Sequence, residues 1–511
     1  MSTSNPDPRL NLEIRCADSA TEVFVIDGQF NLRDRGIGYL KTLLEPGIYK
    51  VKVRAGFETR EQPVILRDKD QTIEISRFNF VSPAPLNQTS KTHEFQMDAA
   101  SDGSRNVDLS DGQGSSIFIF VRDWTSDTPP AQVLPSYPNP GRGLSLRNIQ
   151  GNVIADLTIQ GKQSNQWEPW ATCNVELNPG AYLLSLETPS GETLEQIIVA
   201  SPGWQTQVFL LQRSYGEGPD SQRADLQGAA ILMARQGQGF DPNNDTARLA
   251  ELARLGLSNA RRVLSDDVRQ MLAHKFDNPM LGILAAHLLL LDKEPELGLL
   301  SIVIDNLRML LPGSHPDVDA LSLVLNPGAA HTFGVPPMLR KSWTLVVNAT
   351  SKRPDIVPDQ SLAAKIATHL WSSDPWLVWM KPKEIAPSDM ESEQALGFES
   401  IPPPKLATNL EVALRARLHK PWEQSRVTSE TSRGDSPFAA ISKMTAARIK
   451  DDQPSSSLGL APGLEAAERP NFARLGEEGI DKLVQSMNIP RKNLEGMIAR
   501  LNTNPLDLDE I

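Results

Sequence analysis

The stretch Leu44-Glu45-Pro46-Gly47-Ile48-Tyr49-Lys50-Val51 returns, little changed, as Leu177-Asn178-Pro179-Gly180-Ala181-Tyr182-Leu183-Leu184. Proline fixes φ near −65° at the first central position of a turn, and glycine supplies positive φ at the second. In the first copy Tyr49, Val51 and Val53 then alternate with polar residues, the pattern of a half-buried strand. Two further matches lie downstream. Glu58-Thr59-Arg60-Glu61-Gln62 matches Glu192-Thr193-Leu194-Glu195-Gln196, and Gln71-Thr72 matches Gln205-Thr206. The offsets are 133, 134 and 134 residues, so one inserted residue aligns all three. This spacing predicts a duplicated β domain.

Short strand patterns surround both copies. Before the first, Leu10, Leu12, Ile14 and Cys16 alternate, and Val23, Val25 and Ile26 run to the turn pair Asp27-Gly28. After it come Pro63 to Leu66 and Ile73 to Ile75. Residues 1–80 therefore read as one small antiparallel sandwich. Residues 81–114 are rich in Ser, Asp, Asn and Gly, hold no period, and read as a linker or long loop. A second sandwich is expected over 115–216, with strands at Ile117–Val121, Leu144–Ile149, Val153–Ile159, Cys173–Leu177, Tyr182–Leu186, Leu194–Val199 and Thr206–Leu211.

The Leu-x-Pro-Gly-x-Tyr start to a strand resembles PEGA-like, Ig-like β-sandwich modules over roughly 40 residues of each unit. The resemblance implies a fold, and a role as spacer or binding surface. It implies no catalytic residue.

From about Arg223 the period changes from 2 to 3.6. Leu249, Leu252, Ala253, Ala260, Val263 and Leu264 mark one amphipathic stretch, and Leu297, Leu300, Ile304, Leu307 and Leu311 another. Pro279, Pro295 and Pro316 suit first helical positions, where the missing N–H costs nothing. Residues 217–382 thus read as an α-helical domain of antiparallel hairpins, on which a Trp-rich segment with Trp343, Trp371, Trp376 and Trp379 is expected to pack. Residues 383–470, rich in Pro, Ser, Glu and Lys, read as a disordered linker. In 471–505, Ile480, Leu483, Val484 and Met487, then Leu494, Met497, Ile498 and Leu501, repeat at helical spacing on either side of Ile489-Pro490. That predicts a helical hairpin too small to stand without a partner surface. The expected fold is multidomain: two antiparallel β-sandwich domains followed by an all-α domain, a disordered linker and a C-terminal helical hairpin.

Two stretches of the helical region, Phe276–Leu290 and Gly313–Leu321, are similar to segments of accessory proteins that accompany bacterial caspase-like (CHAT) peptidases. The similarity implies partnership with a protease or regulator, not catalysis. Under it, cleavage would fall in 383–470, where Arg433, Lys443, Arg448 and Lys450 offer basic sites.

The search for chemistry is negative. Seven histidines form no HExxH and no i, i+4 pair. GxSxG and GxxxxGK[ST] do not occur. No cofactor and no metal site is expected. Cys16 and Cys173 sit in strand-like segments and read as reduced, buried thiols. Trp167, Trp170 and Trp204 have two readings, a stacking platform for carbohydrate or core aromatics.

The net charge of −12 argues against a nucleic-acid partner, which needs clustered Lys and Arg. Arg491, Lys492 and Arg500 are basic enough for a helix-turn-helix, but Glu477, Glu478 and Asp481 oppose it. Protein docking through Leu483, Met487, Leu494, Met497, Ile498 and Leu501 is the favoured reading of the hairpin. The 39 prolines in 511 residues exceed the usual ~5% and agree with linkers and turns. No apolar stretch approaches the ~20 residues of a membrane span, and the first residues lack a basic start and an apolar core. A cytoplasmic, non-enzymatic adaptor or scaffold for protein partners is the expected function, with a proteolytically switched effector and a carbohydrate-binding protein as alternatives.

Overall fold

The computed structural model describes residues 9–123, 139–163, 169–216, 221–367, 369–370, 375–381, 480–481, 484–485 and 489–496. The N-terminal half is β-rich and helices follow, a multidomain β-plus-α layout. One compact unit is drawn from Met1–Ala329, Pro337–Trp343 and Ser372–Val378, and a second from Ala330–Pro336, Thr344–Trp371 and Trp379–Ile511.

The first unit opens with seven strands: β1 (Leu10–Cys16), β2 (Glu22–Asp27), β3 (Leu32–Ile37), β4 (Tyr39–Leu44), β5 (Gly47–Ala55), β6 (Glu58–Leu66) and β7 (Gln71–Ile75). Their order is β6-β5-β2-β3-β4-β1-β7, with β3 and β4 joined at one pair, Ile37 and Tyr39. Alternation decides the core: Tyr49, Val51, Val53 and Ala55 are buried along β5. The last strand, β7, runs parallel to β1. A purely antiparallel expectation misses this pairing, because no sequence period encodes strand direction.

Helix α1 (Glu94–Arg105) and the short β8 (Leu109–Ser110) come next. A second strand set follows: β9 (Ser115–Arg122), β10 (Leu144–Asn148), β11 (Val153–Asp156), helix α2 (Leu157–Gln160), β12 (Lys162–Gln163), β13 (Trp170–Leu177), β14 (Gly180–Glu187), β15 (Thr193–Ala200) and β16 (Trp204–Ser214). One ladder runs β11-β10-β14-β15 and the other β13-β9-β16. Strand for strand this is the order of the first set, β3-β2-β5-β6 and β4-β1-β7, including the parallel pairing of β9 with β16. The duplicated turns also share one contact. Tyr49 donates its hydroxyl to the Glu45 carbonyl at 2.8 Å, and Tyr182 donates to the Asn178 carbonyl at 2.7 Å. Neither Gly47 nor Gly180 adopts positive φ, contrary to the turn expected; each is the first residue of a strand. A Cβ on Gly47 would lie 3.5 Å from the Tyr49 ring, an ordinary van der Waals contact, so the return of the ring does not itself require glycine.

Residues 81–114, expected as a linker or long loop, hold a buried irregular segment, helix α1 and β8. Phe78, Phe80, Ser82, Ala84 and Leu86 are buried in a strap that leads to α1. Arg122 clamps the strap, donating to the carbonyls of Ser82 (2.7 Å), Pro83 and Lys91 and to Gln96 Oε1. Arg248 clamps it again. Its guanidinium pairs with the buried Asp18 carboxylate at 2.8 and 2.9 Å and donates to the Phe78, Asn87 and Gln88 carbonyls. Nearly every polar atom of these buried cations therefore has a partner, as burial of charge requires.

The β region also extends past 216. Strands β17 (Gln222–Ala224) and β18 (Ala230–Arg235) pair with β16, so the helical region begins later than residue 217. Its helices are α3 (Asp245–Ser258), α4 (Asp266–Ala273), α5 (Pro279–Leu289), α6 (Leu297–Leu310) and α7 (Pro316–Leu325). Asn244, Ser265 and Asn278 cap α3, α4 and α5 with side-chain oxygens. Pro279 and Pro316 open α5 and α7, whereas Pro295 precedes α6, whose N-cap position Glu296 makes no side-chain cap bond. Helix α5 is buried on all sides. No helix among the described residues is long and apolar enough to cross a membrane.

Helix α8 (Arg340–Ala349) leads into the second unit, where α9 (Leu362–Ile366) and the segment 489–496 lie. Arg491 donates its backbone N–H to Thr350 Oγ1 at 3.2 Å, Lys492 pairs with Asp359 at 3.2 Å, and Asn493 donates to the Ala364 carbonyl at 3.0 Å. Ile489 and Leu494 are buried there. The expected linker, 383–470, lies outside the described residues.

Candidate functional site

Two concave surfaces of the first unit stand out, and they differ in chemistry. The first is apolar and lies at one end of the first strand set. The β2–β3 turn brings Phe30 out beside the hairpin of β5 and β6, where Ile48 and Ile65 are directly opposite each other. Phe30 is 79% exposed, Ile48 63% and Ile65 46%. Together with Tyr49, Lys50, Glu61 and Pro63, Phe30 and Ile48 line a hollow of about 390 Å³. Lys50 Nζ stands 5.8 Å from the Phe30 ring centroid and 3.0 Å from Glu61. Phe30 holds φ at +64°, a conformation that costs a non-glycine residue on the order of 1 kcal/mol. The Asp27 carboxylate fixes the turn, accepting the backbone N–H groups of Gln29 and Asn31; these bonds hold its pKa below the usual carboxylate range.

The second surface is a polar cleft of about 450 Å³ on the second strand set. Side chains alternate across β10 and β14. Leu144, Leu146, Leu184 and Leu186 face the core, and Ser145, Arg147, Ser185 and Glu187 face the cleft. Asp156, opposite Ser145 on β11, and Thr193, opposite Glu187 on β15, complete the sheet wall. Arg142, Thr158, Thr188 and Arg223 stand around it. Arg147 donates from Nε to Ser145 Oγ at 3.0 Å and from Nη1 to the Gly151 carbonyl. Gly143 has φ +75°, and a Cβ there would meet the Glu187 carbonyl at 2.7 Å, so only glycine brings the Arg142 turn this close to β14. Sequence reading missed this site, since its residues are scattered over 142–223 and belong to no motif.

The residues expected to carry function are placed as follows. Leu494 is buried in the second unit; Leu483, Met487, Met497, Ile498 and Leu501 lie outside the described residues. The expected cleavage residues Arg433, Lys443, Arg448 and Lys450 lie outside them as well. Of the three tryptophans, the two described do not form an exposed platform. Trp204 is 2% exposed, donates its indole N–H to the Leu310 carbonyl at 2.8 Å and is covered by the Arg235 guanidinium. Trp170 is half-buried and stacks on Phe120, and Trp167 lies outside the described residues. Both cysteines are free, and burial pushes each thiol up to about 12. His287, buried on α5, bonds Ser342 Oγ at 2.8 Å, and desolvation lowers its pKa to about 3. Among the described residues no group of three or more His, Cys, Asp or Glu is placed to hold a metal ion.

No family model and no curated protein matches this chain. Among solved structures the chain is similar to the Bacillus anthracis TIE protein (14% identity, TM-score 0.16), covering 38% of this chain and 32% of that one. It is also similar to the fimbrial anchor protein Mfa2 from Porphyromonas gingivalis (9% identity, TM-score 0.13), covering 45% of this chain and 98% of that one. The chain thus spans about a third of the length of the first of these.

Proposed function

We propose that the chain is a non-enzymatic cytoplasmic adaptor, built on two β-sandwich modules, that docks protein partners. The observation that carries this reading is the exposed Phe30–Ile48–Ile65 surface. Exposed apolar clusters rimmed by charge mark protein-binding sites, and the rim here is the Lys50–Glu61 pair. The left-handed Phe30 adds weight, because a backbone held in a costly conformation to present an aromatic ring outward gains nothing in the core. The helical region and the segment 471–505 supply further contact surface in this reading. The test is capture from native lysate with the wild-type chain and with Phe30→Ser and Ile48→Ser. Loss of the captured proteins in both variants, with thermal midpoints unchanged, supports the adaptor. Capture of the same set by all three removes this surface from the reading.

A second reading, cleavage by a caspase-like peptidase within 383–470, is favoured by the contacts of 489–496. A cut would leave that segment held only by non-covalent bonds to residues 350–364. Release of a C-terminal fragment on treatment with such a peptidase tests it.

A further inference from the structure

We propose that the polar cleft of the second strand set binds a small hydroxylated oxyanion, a sugar phosphate or a sugar carboxylate. The volume fits a single hexose-sized ligand: binding pockets start at about 300 Å³, and this cleft measures about 450 Å³. Arg142, Arg147 and Arg223 are among its lining residues. The planar guanidinium matches the paired oxygens of phosphate and carboxylate.

Arg147 is already aimed. Its Nε and Nη1 are tied to Ser145 and Gly151, which fixes the plane of the fork, and Nη2 has no partner among the described residues. The Ser185 hydroxyl beside it is equally unused, although the residue is only 2% exposed. A buried polar group of this kind is normally satisfied; one facing a cavity is satisfied by what the cavity holds. Thr193 likewise makes no side-chain bond among the described residues.

Two carboxylates share the wall. Asp156 accepts the Thr158 N–H with one oxygen, and Glu187 has no side-chain partner among the described residues. A bare inorganic anion would be repelled by them. A ligand with an oxyanion at one end and hydroxyls at the other uses both sets, the hydroxyls donating to Asp156 and Glu187. The cleft walls are firm enough to hold such a ligand in one pose. The Thr188–Thr193 hairpin is cross-linked by Thr188 Oγ1 to Glu192, and Gly143 N–H is held by Thr158 Oγ1. Among the described residues no aromatic side chain lines the cleft, so those residues recognise a ligand by hydrogen bonds and charge rather than by stacking.

The test is calorimetric titration of the full chain with glucose 6-phosphate, glucuronate, glucose and inorganic phosphate. The expected result is saturable binding of glucose 6-phosphate or glucuronate, with glucose and phosphate each at least about tenfold weaker. Which of the first two binds tells a phosphate source from a carboxylate source. Ser185→Ala removes a hydroxyl that holds nothing else in place, and should weaken binding about tenfold with no change in thermal midpoint. Arg147→Met should weaken it further. The proposal is overturned if neither sugar oxyanion binds, if inorganic phosphate binds as tightly, or if Ser185→Ala and Arg147→Met bind like the wild type.

Discussion

At the residue scale, the two tyrosines of the repeat say most. Tyr49 and Tyr182 turn back to carbonyls four residues upstream. The repeat was legible because proline, glycine and tyrosine recur in it at fixed spacing. The conformation of that glycine was not legible, since a glycine in a positive-φ turn and one that opens a strand look alike in sequence. Tyr49→Phe and Tyr182→Phe should each lose about 1 kcal/mol in urea unfolding, the net worth of a protein hydrogen bond. His287 offers a pH test. Its imidazole titrates near 6.5 when unfolded and at about 3 when folded. The folded state therefore refuses a proton that the unfolded state accepts. Its contribution is constant above pH 6.5 and is lost as pH falls from 6.5 toward 3, at about 1.4 kcal/mol per pH unit. Unfolding of His287→Gln between pH 7.5 and 4.5 should show a slope shallower by that amount; equal slopes would contradict the burial.

At the element scale, the hidden pieces are those whose buried residues are not apolar. Helix α1 buries Gln96, Ala100 and Ser104, a perfect helical spacing with little hydrophobic signal. Those polar groups are used: Asn174 and Gln205 donate to the Ser104 carbonyl, and Ser104 Oγ accepts from Phe240. Strand β3 is hidden for a related reason, since Arg33, Asp34 and Arg35 interrupt it. Strand β18 is written in Ala, Leu and Met, good helix formers, and pairing with β16 overrides that preference. The cleft was unreadable because five strands, a short helix and two turns contribute to it. Helix α5 gives a prediction of sign. Gly282→Ala should gain up to ~1 kcal/mol of helix propensity. However, the new methyl would sit 2.4 Å from the buried Phe276 ring and 2.9 Å from Leu307. Overpacking costs about 1–3 kcal/mol, so the expected outcome in chemical denaturation is a net loss. Asp18→Ala should cost more, about 3–5 kcal/mol, because it leaves the Arg248 charge buried and unpaired.

At the scale of the whole molecule, the expected layout of β modules followed by helices holds in outline, while the strands run past residue 216. The strap at 78–92 carries no period, so composition alone made it look like spacer; two arginines contributed by distant strands and helices bind it down. Segment 489–496 also belongs to a folded unit, held against residues 350–364. A chain ending at Lys383 should therefore lose hydrogen-exchange protection at 350–364 while residues 10–235 keep theirs; unchanged exchange at 350–364 would show that the contact adds no stability.

The parallel pairing of first and last strands has a mechanical consequence. In each β set the chain enters along β1 or β9 and leaves along β7 or β16, at the opposite end. Tension along the backbone would pull these neighbours past one another and load all the rungs from Leu12–Gln71 to Cys16–Ile75 at once, rather than opening them singly. The second set presents a longer ladder, from Ser116–Gln205 to Arg122–Leu211. Both modules are thus shaped to resist stretching in shear, and the second should yield at the higher force.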